Sequence, residues 1–192
     1  MWVTFALLVD DSTHNFMRKR ALELEHAYRV GFRAALVSPH ISLKQPFRAA
    51  NLAAIEAYFD AFAAGIQPFD VMLEAVEVLP AAGPGHDMGI VWLAARESQV
   101  LRDLHDRLNI ELAARFEHTA ANFDGPAFRF HATVALGGQP PEVYQAIAVS
   151  HSQPDLRMMC HIDRILLGCA DDAYDPPGPF ISYKILSLGK RS

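Results

Sequence analysis

His40-Ile-Ser-Leu-Lys-Gln-Pro-Phe47 and Arg129-Phe-His-Ala-Thr-Val-Ala-Leu136 share one pattern: a histidine, a hydroxyl residue two positions on, then an aliphatic residue. Both stretches are short, rich in β-formers and closed by a breaker, Pro46 in the first and Gly137-Gly138 in the second. In a strand, residues i and i+2 share a face. His40 and Ser42 therefore point together, as do His131 and Thr133, while Ile41, Leu43, Ala132 and Val134 turn the other way and anchor each strand in a core. Of the nine histidines, only these two carry the pattern.

The rest of the chain alternates strand-like and helix-like segments around these two. Residues 2–9 form a short apolar run stopped by Asp10-Asp11. Residues 12–28 place their apolar side chains irregularly but hold no Pro or Gly and are compatible with a helix capped by Ser12. A second helix is predicted over 49–64, with Gly65 as its stop, and a third over 98–115, with Ser98 as its cap. Residues 69–79 and 88–95 read as a hairpin joined by the loop at 80–85. Further elements are a helix over 140–149 and two strands over 161–169 and 180–188, the latter pair separated by an Asp- and Pro-rich turn at 171–179. Hairpin-like joins favour an antiparallel α+β fold, in a single domain spanning 1–192.

Composition narrows the partners. Hydrophobic residues make up 51% and charged residues 20%, as in an ordinary globular protein, and the formal net charge of −5 argues against gripping duplex DNA through many phosphates. No apolar run approaches the roughly 20 residues that span a bilayer, and the apolar opening lacks a basic flank and a cleavage site. We expect a cytoplasmic protein with no membrane partner. Cys160 and Cys169 match no zinc or redox spacing and read as buried free thiols. The other seven histidines show no metal-binding spacing, so no metal site is expected. The glycine pairs fit neither a P-loop nor a dinucleotide fingerprint.

Two imidazoles and two hydroxyls facing one cleft suit phosphodiester cleavage. One imidazole can take a proton from an attacking water while the other gives a proton to the departing alkoxide, and the hydroxyls can bond the non-bridging oxygens. By the same strand parity, Lys44 continues the face of His40, and Arg129 precedes His131 on its face. Each is a candidate cation for holding the phosphate, with a solvated strand position as the alternative. Phe47 and Tyr183 are candidates for stacking on a base, with core or rim packing as the alternative.

The two motif strands, the block His40 to Phe47 above all, resemble those of the 2H phosphoesterase superfamily, which includes 2′-5′ RNA ligase-like proteins and cyclic nucleotide phosphodiesterases. The resemblance covers nearly the whole chain in order of elements. It implies a bilobal, pseudo-symmetric fold in which two antiparallel sheets face a central groove with helices outside. It also implies hydrolysis, with no cofactor, of a cyclic phosphate or phosphodiester in a nucleotide, an RNA end or another small phosphorylated metabolite. His40 would then be the acid and His131 the base. Several RNA-acting members carry an Arg shortly after the second motif, where this chain has Ala135-Leu136-Gly137-Gly138; that points to small phosphoesters before long RNA. The competing expectations are a binding module that holds a phosphorylated ligand without turnover, and a hydrolase of phosphonate metabolism.

Overall fold

The computed structural model describes residues 1–80, 88–171, 173 and 180–189. His86, most of the loop at 80–85 and most of the turn at 171–179 lie outside the described residues. The strands are β1 (Trp2–Leu8), β2 (His40–Ser42), β3 (Phe47–Arg48), β4 (Phe69–Leu79), β5 (Gly89–Ala95), β6 (His131–Gly137), β7 (Met158–Ile162), β8 (Arg164–Ala170) and β9 (Ile181–Ser187). The helices are α1 (Asp11–Tyr28), α2 (Leu52–Ala64), α3 (Gln99–Arg115) and α4 (Pro141–His151), with a 3₁₀ turn at Arg33–Leu36. Asp10, rather than Ser12, caps α1, its carboxylate accepting from the Thr13 amide, and Asn51 and Ser98 cap α2 and α3 in the same way.

The fold is α+β, and all its strand pairs are antiparallel, in the order β7-β4-β5-β6-β2-β1-β8-β9, with β3 also on β1. Two four-stranded halves, β7-β4-β5-β6 and β2-β1-β8-β9, meet at one registered pair, Ile41 opposite Ala132. The expected two sheets are thus joined into one through the two motif strands. The halves match element for element: β1, α1, β2 and α2 correspond to β5, α3, β6 and α4. The segment expected as one strand over 161–169 is two, because the chain passes at Asp163 from one outer edge into the opposite half. A one-residue link between such distant positions requires the sheet to curl until its ends approach. The His161 amide donates to the Asp10 carboxylate at 2.8 Å and the Leu188 amide to the Asp163 carbonyl at 2.8 Å, which tie that seam.

Helices cover one face of the curled sheet. Helices α1 and α4 pack on the half containing β6, and α2 packs on β8 and β9. Between helices and sheet lies the core, with Val3, Phe5 and Leu7 of β1, Ile41 of β2 and Ala132 and Val134 of β6, all nearly or fully buried. The alternate residues of the same strands face the groove. Cys160 and Cys169 are buried free thiols.

Candidate active site

The register places the four motif side chains on one patch. With Ile41 opposite Ala132, His40 falls across from Thr133, and Ser42 from His131. Side chains directly opposite in an antiparallel pair stand about 4.5–5.5 Å apart at Cβ, and diagonal ones about 7–8 Å. Each imidazole thus neighbours the hydroxyl of the other motif, and the two imidazoles lie on the diagonal. On either side the sheet supplies Leu8 and Ala6, opposite His40 and Ser42, and Ala94 and Trp92, opposite His131 and Thr133.

Both rings are held in the same way. His40 Nδ1 lies 2.8 Å from the Ser38 carbonyl and His131 Nδ1 lies 2.7 Å from the Arg129 carbonyl, two residues upstream in each case. A carbonyl only accepts, so Nδ1 carries the proton and Nε2 is left to face a substrate. Burial holds the His40 imidazole below the ordinary histidine range; the Ser38 bond opposes this, and the Arg18 charge adds to it. Burial also lowers His131, against the Arg129 carbonyl and the Glu77 charge, and with the charges of His40 and Arg129. Both rings are therefore mainly neutral at neutral pH.

The surroundings of His131 include residues that the sequence pattern does not mark. The Trp92 indole lies 4.1 Å from the imidazole, centroid to centroid. Its Nε1 donates to Glu77 Oε2 at 2.8 Å, and Arg129 donates to that same oxygen at 2.7 Å with its guanidinium over the Trp92 ring. Finding this cluster requires the β4-β5-β6 register, which residue spacing does not supply.

Next to His40, Ser42 and Thr133 the groove deepens into a cavity of about 340 Å³, with Thr4, Leu166 and Gly168 from the first-motif half and Leu136 from the second. Leu136 reaches it because Val134 is an extra residue in β6, a bulge that shifts the parity after Thr133. The same cavity is lined by Arg33, Leu36 and Val37.

Of the other sequence candidates, Lys44, Phe47 and Tyr183 are not among the residues lining this cavity, and Arg129 is engaged by a carboxylate. Lys44 is past the end of β2, where the chain has turned inward; its side chain is 1% exposed and paired with Asp124, so it does not continue the His40 face. Arg129 is beside His131, but paired with Glu77. Phe47 is core, stacked with Phe5 at 6.5 Å. Tyr183 is the extra residue of a bulge in β9, and its hydroxyl donates to Glu56 on α2, away from the groove. His105 is fully buried and structural, its Nδ1 donating to the Leu43 carbonyl and its Nε2 accepting from the Gly125 amide. Among the described residues, no group of three or more His, Cys, Asp or Glu side chains is placed to hold a metal ion.

Solved structures share this fold. The chain superposes over 100% of its length on 100% of TT0787 of Thermus thermophilus, at 14% identity and a TM-score of 0.61. It covers 98% of E. coli LigT, solved with 3′-AMP, and is covered over 98% of its own length, at 18% identity and a TM-score of 0.59. For Kluyveromyces marxianus Usb1, solved with uridine monophosphate, the values are 97% of each chain, 12% and 0.52. These likenesses establish the fold. No curated protein sequence matches the chain. The family model of the 2′-5′ RNA ligase superfamily matches residues 9–168, a span that contains both histidine strands and their hydroxyls. The chain belongs to the 2′-5′ RNA ligase superfamily.

Proposed function

We propose that the chain is a phosphoesterase that hydrolyses a cyclic phosphate or phosphodiester in a small phosphorylated substrate, a nucleotide or an RNA end, by two-histidine acid/base catalysis without a metal. The observation that carries this reading is the matched pair of Nδ1-to-carbonyl bonds, which leaves two Nε2 atoms for proton transfer on one face. Water attacks phosphorus as one Nε2 takes its proton; the P–O bond to the leaving oxygen breaks as the other Nε2–H protonates it. The products are a phosphomonoester and a free hydroxyl. Ser42 and Thr133 donate hydrogen bonds to the non-bridging oxygens. Burial depresses both imidazoles, so one is ready as base. The negative charge of the arriving phosphate raises their proton affinity and favours the singly protonated pair that the reaction needs. The nucleotides bound to LigT and Usb1 support a ligand of this size.

The test is a panel of 2′,3′-cyclic mononucleotides, 2′-5′ oligonucleotides and ADP-ribose cyclic phosphate, with the products identified. His40→Ala and His131→Ala are each expected to lower kcat by about 10²–10⁴-fold, and EDTA is expected to leave the wild-type rate unchanged. Full activity in either variant sinks the reading. Tight binding of a cyclic nucleotide with no product would establish a binding module instead.

A further inference from the structure

Placing a phosphate anion beside Leu36, Val37, Leu136 and Leu166 is costly without a compensating positive charge. The hydroxyls of Ser42 and Thr133 give hydrogen bonds but no charge. Lys44 is buried against Asp124, Arg129 is paired with Glu77, and Arg18, whose charge reaches His40, is held by the Val37 carbonyl at 3.0 Å and does not line the cavity. Arg33 remains. It lines the same cavity as His40, Ser42 and Thr133, and among the described residues no carboxylate pairs with it. Its guanidinium contacts Met88 Sδ at 3.7 Å, a weak acceptor that an anion displaces easily.

The fold holds Arg33 there. α1 ends at Arg29 with φ 56°, and Gly31 at φ 81° turns the chain back toward the groove. The Arg29 carbonyl accepts from Gln139 Nε2 at 2.6 Å. The Val30 carbonyl packs so closely on Gly137, at the end of β6, that a Cβ there would fall 2.3 Å from it. The 3₁₀ turn that begins at Arg33 then packs against β6. A segment just before the first motif is thus docked on the strand of the second, with its first residue lining the cavity between them.

We propose that Arg33 is a substrate-binding residue that holds the phosphate of the ester under attack through a charge-assisted bond to a non-bridging oxygen. The inference rests on the phosphoesterase reading of the groove and adds the source of its positive charge. Direct binding of inorganic phosphate, followed by ³¹P NMR or calorimetry, tests it without turnover. Arg33→Gln is expected to weaken phosphate binding by about tenfold or more, Arg33→Lys to restore part of it, and Arg20→Gln, a charge-matched change on α1 at a residue that pairs with Glu23 and does not line the cavity, to leave it unchanged. In turnover of a substrate found by the panel, Arg33→Gln is expected to raise KM far more than it lowers kcat. Equal phosphate affinity in wild type and Arg33→Gln overturns the inference, as does a wild type that binds no phosphate. Arg33-dependent phosphate binding with no hydrolysis of any panel member leaves the inference standing and removes the catalytic reading.

Discussion

The Trp92 indole packs against the His131 imidazole, with ring centroids 4.1 Å apart and planes tilted by 31°, and Glu77 holds the indole by accepting from its Nε1. A ring held on one face by an indole and at Nδ1 by a carbonyl has little freedom to rotate, so Trp92 positions the Nε2 that meets the substrate. Trp92→Ala is expected to lower kcat by about 10²-fold through misplacement, with Trp92→Phe recovering part. In Glu77→Gln the carboxylate that raises the His131 pKa is gone and Arg129 is left uncompensated, so His131 should titrate at lower pH. NMR of its Cε1 proton, assigned by comparison with His131→Gln, reads this directly. Wild-type kcat in Trp92→Ala and an unmoved titration in Glu77→Gln would remove the positioning role.

Ser42 and Thr133 stand across from His131 and His40, on either side of the single registered pair between the halves, Ile41 opposite Ala132. That equivalence predicts similar losses from Ser42→Ala and Thr133→Val, about 10²-fold in kcat for each if both hydroxyls hold transition-state charge. The measurement is kcat and KM for the two variants on one substrate. A loss confined to one of them would show that the pseudo-symmetric pair is used on one side only.

The two histidine strands were legible in the sequence because strand parity acts over two residues, and within β2 and β6 nothing interrupts it between histidine and hydroxyl. It fails where the backbone departs from a regular strand. β2 ends at Ser42, and the Gln45 amide is drawn to Asp124, so Lys44 turns inward; the bulge at Val134 brings Leu136 to the groove where alternation expects Ala135. The break at Asp163 is hidden because Cys160 and Ile162 on one side and Ile165 and Leu167 on the other bury into a continuous core. Trp92 and Arg33 reach the site through cross-strand register and a docked turn, neither of which leaves a local pattern.

Stability should depend on pH through the same two rings. Both have folded-state pKa values below the ordinary histidine value of about 6.5. Between the folded and unfolded pKa values the unfolded chain binds more protons, so unfolding free energy falls as pH drops below about 6.5 and levels off below the folded values. The double variant His40→Gln/His131→Gln should lose this part of the slope. Denaturant melts from pH 8 to pH 5 compare the two proteins, and parallel curves would show that the rings are not depressed.

Lys44 and Asp124 supply the remaining contrast, between a cation that binds substrate and one that holds the fold. The Lys44 side chain is 1% exposed and that of Asp124 12%, and the Gln45 amide also donates to Asp124, at 3.1 Å. Asp124→Ala strands a buried ammonium and is expected to cost about 3–5 kcal/mol. The paired change Lys44→Met/Asp124→Leu removes both charges and should recover most of that loss, since no uncompensated charge remains. Folded Lys44→Met protein should keep the wild-type KM, because the ammonium it removes is already paired with a carboxylate and does not line the cavity. A large rise in KM in Lys44→Met with unchanged stability would reverse this assignment and return Lys44 to the phosphate site that the structure gives to Arg33.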